Sequence, residues 1–144
     1  MGMSRDVEML DFISKNAEMG RDNLRLVLKH VDDPVLHRAL KEQVQEYQKT
    51  CAAAGRMLNR RGHKPAGSSL VVKIMSHMMA DRKAKRDHSP SAIAEMVIQG
   101  STMGITKMTR RLHQYDGNNR DIVRLAKQQI ATEQNNIEEM KSFL

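Results

Sequence analysis

The stretch SAIAEMVIQGSTMGITKMTRRLHQYDGNNRDIVRLAKQQIATEQNNIEEM, residues 91–140, decides the fold because it contains two amphipathic patterns joined by a DGNN turn. Apolar side chains recur every three or four residues in both patterns, as on the buried face of a helix. Small or polar residues interrupt each apolar stripe: Gly100 and Gly104 in the first, and Gln129 and Glu133 in the second. The stretch therefore predicts a helical hairpin with a polar layer inside its core.

Two further helices are predicted in the first half of the chain, where the same spacing of apolar residues continues. Asp33 followed by Pro34, and Ser89 followed by Pro90, are pairs typical of helix starts, and Gly62 is typical of a helix end. A shorter helix is predicted between the two halves. The five helices are expected at about residues 4–31, 34–61, 69–86, 91–115 and 119–143.

The long connection between Gly62 and Pro90 distinguishes this pattern from a simple up-down bundle, in which a short loop would be enough. Two helical hairpins joined by one long crossover are typical of ferritin-like bundles. The sequence thus predicts an all-α, ferritin-like four-helix bundle. It forms one domain over residues 1–144, and its crossover carries the additional short helix.

Two segments carry a resemblance to known proteins: SPSAIAEMVIQGSTMGI at residues 89–105 and TEQNNIEEMKSFL at residues 132–144. They resemble a family of small uncharacterised ferritin-like helical-bundle proteins from anaerobic and spore-forming bacteria. The resemblance extends over nearly the whole chain, and its motifs are structural. It implies the bundle fold and implies no particular activity.

Composition predicts a methionine-rich core and a reducing environment. The chain has twelve methionines, no tryptophan and one cysteine, Cys51, so no intramolecular disulfide can form. No apolar run approaches the roughly 18 residues that span a bilayer, and the first residues lack the pattern of a secretory signal. We expect a cytoplasmic protein with no membrane segment.

A di-iron centre is the best-known site in ferritin-like bundles, and it requires a Glu on two helices and Glu-x-x-His on the other two. The corresponding positions are Glu18, Glu46 with Lys49, Gln99, and Glu133 with Asn136. Both histidines are missing and one carboxylate is an amide. At about 100° per residue, Glu18 and Glu46 lie roughly 120° from the centres of their apolar stripes, so only Glu133 faces inward. We expect no metal, no cofactor and no catalytic residue.

Residue counting places one layer at the middle of the bundle, composed of Ala17, Gly20, Val44, Tyr47, Gly100, Gly104, Gln129 and Glu133. In a closed arrangement the glycines admit the Tyr47 ring, whose hydroxyl bonds Glu133, and Arg21 is the best charge partner for that carboxylate. In an open arrangement the glycines leave a pocket in which Glu133 and Gln129 hold a small cationic or polar ligand. Tyr47, Gln129, Glu133 and Arg21 are therefore the candidate ligand-binding residues.

The crossover contains Met75, His77, Met78 and Met79, whose side chains have the soft character that selects copper(I). His77 lies about 200° from Met75 around a helix, so these side chains do not converge. The methionines instead predict an apolar face that covers the bundle.

Basic residues dominate residues 56–127, which carry 15 Lys and Arg against 5 Asp and Glu, a net of +10. Such a segment can neutralise phosphates, but Tyr115 is its only aromatic residue and it has no known DNA-reading motif. A solvated basic face, or an acidic protein partner, is favoured over nonspecific nucleic-acid binding. The predicted function is a non-enzymatic bundle that acts as a homo-oligomer or binds a protein partner, with a ligand or metal site around Glu133 as the alternative.

Overall fold

A computed structural model describes residues 4–65 and 70–144, with side chains described for 4–65 and 78–144. All regular structure in these ranges is α-helical, which confirms the predicted all-α class. The helices are α1 (Arg5–Leu28), α2 (Pro34–Arg60), α3 (Leu70–Arg86), α4 (Pro90–Gln114) and α5 (Arg120–Lys141). Met75 and His77 of the copper hypothesis lie outside the described side chains, while Met78 and Met79 are exposed.

Local side-chain chemistry sets the helix boundaries. Asp33 and Ser89 are N-caps, each accepting a hydrogen bond from a backbone N–H of the following turn, and a proline begins α2 and α4. Gly62 follows α2 with φ of +68°, a left-handed conformation that glycine adopts without strain. α1 ends at Leu28 instead of near residue 31, because the last amides bond to carbonyls three residues back in a tight turn before Pro34.

The four long helices pack as two antiparallel hairpins, α1 with α2 and α4 with α5. In addition, α1 contacts α4 and α2 contacts α5. An upper apolar cluster joins the end of α1, the start of α2, the start of α4 and the end of α5, and includes Val27, Leu40, Ile93 and Met140. A lower cluster joins the opposite ends and includes Leu10, Leu58, Met108 and Ile122. α1 and α5 therefore run in one direction, and α2 and α4 in the other.

The crossover helix α3 packs against α1. His30 Nε2 lies 2.8 Å from Asp81 Oδ1, and Ala84 is buried in the upper cluster. These contacts place the C-terminal half of α3 beside α1 and α4.

Polar side chains lie between the two apolar clusters. The polar layer consists of Tyr47, Thr50, Ser101, Gln129 and Glu133, all of them buried. It is the predicted middle layer, with Thr50 and Ser101 as members that the sequence did not indicate.

The described basic side chains of residues 56–127 lie at the surface, as predicted for a solvated face.

Candidate functional site

Tyr47 of α2 and Glu133 of α5 form the centre of the polar layer. The Tyr47 hydroxyl donates a hydrogen bond to Glu133 Oε1, which confirms the contact predicted from residue counting. Gly20 of α1 provides space for the ring, because a Cβ at this position would lie 2.6 Å from both Cε1 and Cζ of Tyr47. A side chain at residue 20 would thus displace the tyrosine that holds Glu133.

The two glycines of α4 have different surroundings. A Cβ at Gly104 would lie 2.9 Å from both carboxylate oxygens of Glu133, so this glycine admits the carboxylate rather than the Tyr47 ring. A Cβ at Gly100, one turn earlier, would have no other atom within 4 Å. Gly104 is therefore required for close packing, whereas Gly100 borders open space.

Gln129 lies one turn before Glu133 on α5, but its environment is closed. Its Oε1 accepts a hydrogen bond from the Thr50 hydroxyl of α2, and it does not line the space in front of Glu133. Thr50 is three residues after Tyr47, so it shares the inner face of α2, and this spacing is the signal by which it could have been found. Gln129 thus ties α2 to α5.

Arg21 is not the charge partner of Glu133, so this prediction is wrong. The Arg21 guanidinium lies at the margin of α1, and its Nε donates to Asp22 Oδ1 at 2.9 Å. The Arg21–Asp22 pair stays partly exposed, whereas contact with the fully buried Glu133 would require complete desolvation of the guanidinium.

The electrostatics of Glu133 are set by burial. Its side chain is 1% exposed, and this burial raises its pKa from 4.5 to about 7, while the hydrogen bond from Tyr47 opposes the rise. Burial, followed by the nearby Glu133 charge, raises the pKa of Tyr47 well above its ordinary value, and a hydrogen bond from Ser101 opposes that rise. Glu133 Oε2 has no hydrogen-bond partner within the described residues.

A cleft of about 540 Å³ opens above this carboxylate, between α1 and α4 and beside the end of α3. The buried side chains of Tyr47 and Glu133 form its floor, and Gly20, Gly100 and Gly104 also line it. Its walls are mostly apolar and include Met19, Leu24, Val27, Met96, Val97 and Met103. Lys83 and Lys107 lie exposed at its rim. The cleft thus combines an apolar wall with one buried carboxyl group.

Other acidic and thiol groups do not join this site. Where side chains are described, no three His, Cys, Asp or Glu residues are grouped so that they could hold a metal ion. Glu46 is half-buried, and the Asn136 side chain hydrogen-bonds its carboxylate. The Cys51 thiol donates to the Ser14 carbonyl at 3.8 Å, and burial raises its pKa, which favours the unreactive thiol form.

Comparisons with known proteins inform the fold. No protein-family model matches the sequence, and a search of curated proteins gives no significant match. A solved structure is similar, that of YcfI from Rhodopseudomonas palustris, a proposed structural protein. Its TM-score is 0.74 at 16% identity, covering 96% of this chain and 94% of that chain. At this identity the likeness shows the fold alone, and the family resemblance noted in the sequence stays a prediction.

No helix within the described ranges has the length and apolar character needed to cross a membrane.

Proposed function

We propose that this protein is a ferritin-like helical bundle that binds a small ligand in the cleft between α1 and α4. The observation that carries the proposal is Glu133 Oε2, which is buried and has no hydrogen-bond partner among the described residues, while the Glu133 side chain lines an open cleft. A buried polar atom without a partner costs free energy, and a ligand group that bonds it would recover that cost. The ferritin-like assignment is supported by the directions of the four long helices and by the long crossover.

The composition of the cleft supports a ligand site. Ligand pockets commonly enclose about 300–1,000 Å³ and combine apolar walls with a few convergent polar groups, and this cleft fits both descriptions. Methionine side chains at residues 19, 96 and 103 provide walls that adapt to different ligand shapes. Gly100 leaves the floor open where any side chain would reduce its depth.

Blocking the cleft tests the proposal. Gly100→Trp should fill the cleft without a backbone clash, since a Cβ at this position meets nothing within 4 Å. Gly55→Trp is the matched control, because Gly55 is also a mid-helix glycine with room for a Cβ, 3.9 Å from Pro65 Cγ, and lies outside the cleft. A neutral apolar fluorescent dye should bind the wild type and Gly55→Trp saturably and lose this binding in Gly100→Trp. Equal dye binding by all three proteins would contradict the proposal.

Self-association, or binding of a protein partner, is a second candidate function. It is supported by Met78, Met79 and Met103, which are 55%, 58% and 59% exposed, two of them at the mouth of the cleft. Exposed apolar side chains such as Met79 and Met103, which line one cleft, are typical of interaction surfaces. Light scattering at increasing concentration should show an oligomer that dissociates when these methionines are replaced by Gln. A monomer at all concentrations would contradict self-association.

A further inference from the structure

We propose that the cleft selects a protonated monoamine with an apolar body, such as a primary alkylamine or arylalkylamine, whose ammonium group bonds Glu133 Oε2. This inference rests on the proposed function, because it assigns a ligand class to the same cleft. Three features carry it: the unpaired oxygen at the floor, the apolar walls and the two lysines at the rim.

The floor requires a cationic donor. Glu133 Oε1 already accepts a hydrogen bond from the Tyr47 hydroxyl, so the buried Oε2 is the oxygen whose hydrogen-bonding capacity is unused. In the part of the chain with described side chains, no Lys or Arg forms an ion pair with Glu133. A buried carboxylate is stabilised by a charge of opposite sign that also donates hydrogen bonds, and an ammonium group meets both requirements.

The walls require that the rest of the ligand be apolar. Leu24, Val27, Met96 and Val97 line the cleft above the carboxylate, and burying apolar surface against them is favourable in proportion to the area covered. A small hydrated cation would leave these walls in contact with water. An alkyl or aryl group attached to the amine would cover them.

The rim excludes ligands with a second positive charge. Lys83 of α3 and Lys107 of α4 border the mouth of the cleft, where the outer end of a bound molecule would lie. A diamine or polyamine would place its second ammonium beside these two lysines, and like charges at short range reduce affinity. The rim therefore selects against polyamines and accepts a neutral or negatively charged outer end.

The affinity for the amine should also depend on pH, because only the ionised carboxylate attracts an ammonium group. The titratable groups that line the cleft with Glu133 are Tyr47 from α2, Lys83 from α3 and Lys107 from α4. The described α1 residues that line the cleft include no titratable group, and from α5 the only lining residue described is Glu133 itself. Since the pKa of Glu133 is raised to about 7, the carboxyl group is largely protonated at pH 5 and largely ionised at pH 8. The affinity for an alkylamine should rise on the order of 100-fold between these pH values.

Titration calorimetry with four probes of equal chain length tests the ligand class: hexylamine, hexanol, hexanoate and hexamethylenediamine. At pH 8 the wild type should bind hexylamine more than about tenfold more tightly than the other three, as expected for a charge-assisted hydrogen bond. Glu133→Gln should reduce the hexylamine affinity to that of hexanol. Glu46→Gln is the matched control, because Glu46 is a half-buried carboxyl whose pKa burial also raises, and it lies outside the cleft. It should leave the hexylamine affinity unchanged.

A second variant tests the rim without touching the core. Replacing both Lys83 and Lys107 by Gln should raise the affinity for hexamethylenediamine toward that for hexylamine, since both side chains are exposed and the fold does not depend on them. If the double variant still binds hexylamine more tightly than hexamethylenediamine by the same factor as the wild type, the role assigned to the rim is wrong.

The outcomes separate the ligand class from the proposed function. If hexanol or hexanoate binds as tightly as hexylamine and Gly100→Trp abolishes this binding, the cleft is a ligand site and the amine class is wrong. If Glu133→Gln retains the preference for hexylamine, the amine class is likewise wrong. If none of the four probes and no apolar dye binds the wild type, the proposed function fails together with the inference.

Discussion

Two polar side chains of α5, Gln129 and Glu133, lie one helical turn apart in the same buried layer, yet they differ in how they are satisfied. The Gln129 oxygen is bonded by Thr50 across the α2–α5 interface and does not line the cleft. Glu133 accepts a hydrogen bond from Tyr47 at one oxygen, while its other oxygen is buried without a partner among the described residues, and its side chain lines the cleft. A buried polar contact can therefore fix the register of helices or form a ligand site, depending on whether a hydrogen-bonding position is left open.

The glycines of α1 and α4 that surround Glu133 explain this difference between Gln129 and Glu133. Gly20 of α1 and Gly104 of α4 allow the Tyr47 ring and the carboxylate to occupy space that side chains would otherwise fill. Gly100 then leaves the same face of α4 open above them. The glycines therefore perform two tasks: close packing at residues 20 and 104, and access to the layer at residue 100.

Replacing Glu133 by Gln removes the ionisable group that distinguishes residue 133 from Gln129. It should have the largest effect on the free energy of unfolding. Because burial raises the Glu133 pKa from 4.5 to about 7, the folded chain keeps a proton that the unfolded chain releases in this pH window. The free energy of unfolding of the wild type should therefore fall as the pH rises through the window, and Gln, which does not titrate, should avoid this loss. Between pH 5 and pH 8 the stability of Glu133→Gln relative to the wild type should increase by about 2.5 kcal/mol.

Urea denaturation followed by circular dichroism at both pH values measures this difference. Glu95→Gln, at an exposed position of α4, is the control and should change the stability little at either pH. A stability difference between Glu133→Gln and the wild type that is the same at pH 5 and pH 8 would contradict a buried carboxyl group with a raised pKa.

Gly20→Ala should displace Tyr47 and so disrupt its contact with Glu133, the part of the polar layer that lines the cleft. The new Cβ would lie 2.6 Å from two ring atoms, and overpacking of this kind typically costs more than the helix propensity gained by removing a glycine. We expect the free energy of unfolding to fall by about 2 kcal/mol. In a Tyr47→Leu background the same substitution should be neutral or stabilising, and a loss of the same size there would show that the ring is not the obstacle.

Thr50→Val should disrupt the contact between Thr50 and Gln129, the part of the polar layer outside the cleft, and leave the cleft intact. It keeps the shape of the side chain but leaves the Gln129 oxygen without its donor, which should reduce the free energy of unfolding by about 1.5 kcal/mol. Thr102→Val is the control, because the Thr102 hydroxyl bonds only its own helix at the Ile98 carbonyl and is exposed. If Thr50→Val instead weakened hexylamine binding as much as Glu133→Gln does, the two sides of the layer would not be independent.

Much of the fold was predictable from the sequence because its signals are local. The capping residues Asp33 and Ser89, the prolines that follow them and Gly62 each determine the chain direction within one turn. The contact between Tyr47 and Glu133 was also predictable, since counting residues from the turns gives the height of each side chain in the bundle. The distance between α1 and α4 depends on how all the side chains pack, which residue counting does not give. The sequence therefore could not decide whether the glycines leave a pocket beside Glu133 or are filled by neighbouring side chains.

The details that the sequence missed depend on side-chain choices with several nearby partners. The long Arg21 side chain can reach several partners, and it bonds the adjacent, partly buried Asp22 instead of entering the core. Thr50 was not recognised because a threonine on an inner stripe is compatible with simple burial, and its bond to Gln129 depends on the rotation of α5. Both outcomes require knowing which groups are already satisfied, and the spacing of residues does not contain this information.

The smallest expected effects distinguish the two α4 glycines from each other. Gly100→Ala should raise the free energy of unfolding by up to about 1 kcal/mol, because its Cβ meets no atom within 4 Å and alanine favours the helix. Gly55→Ala, where the nearest atom is 3.9 Å away, should do the same, whereas Gly104→Ala should lose this gain because its Cβ meets both Glu133 oxygens at 2.9 Å. Urea denaturation of the three variants at pH 5 measures the ranking with Glu133 largely protonated. Equal stabilisation by all three substitutions would mean that the Glu133 carboxyl group does not pack against α4, and the cleft would then lack the floor on which ligand binding depends.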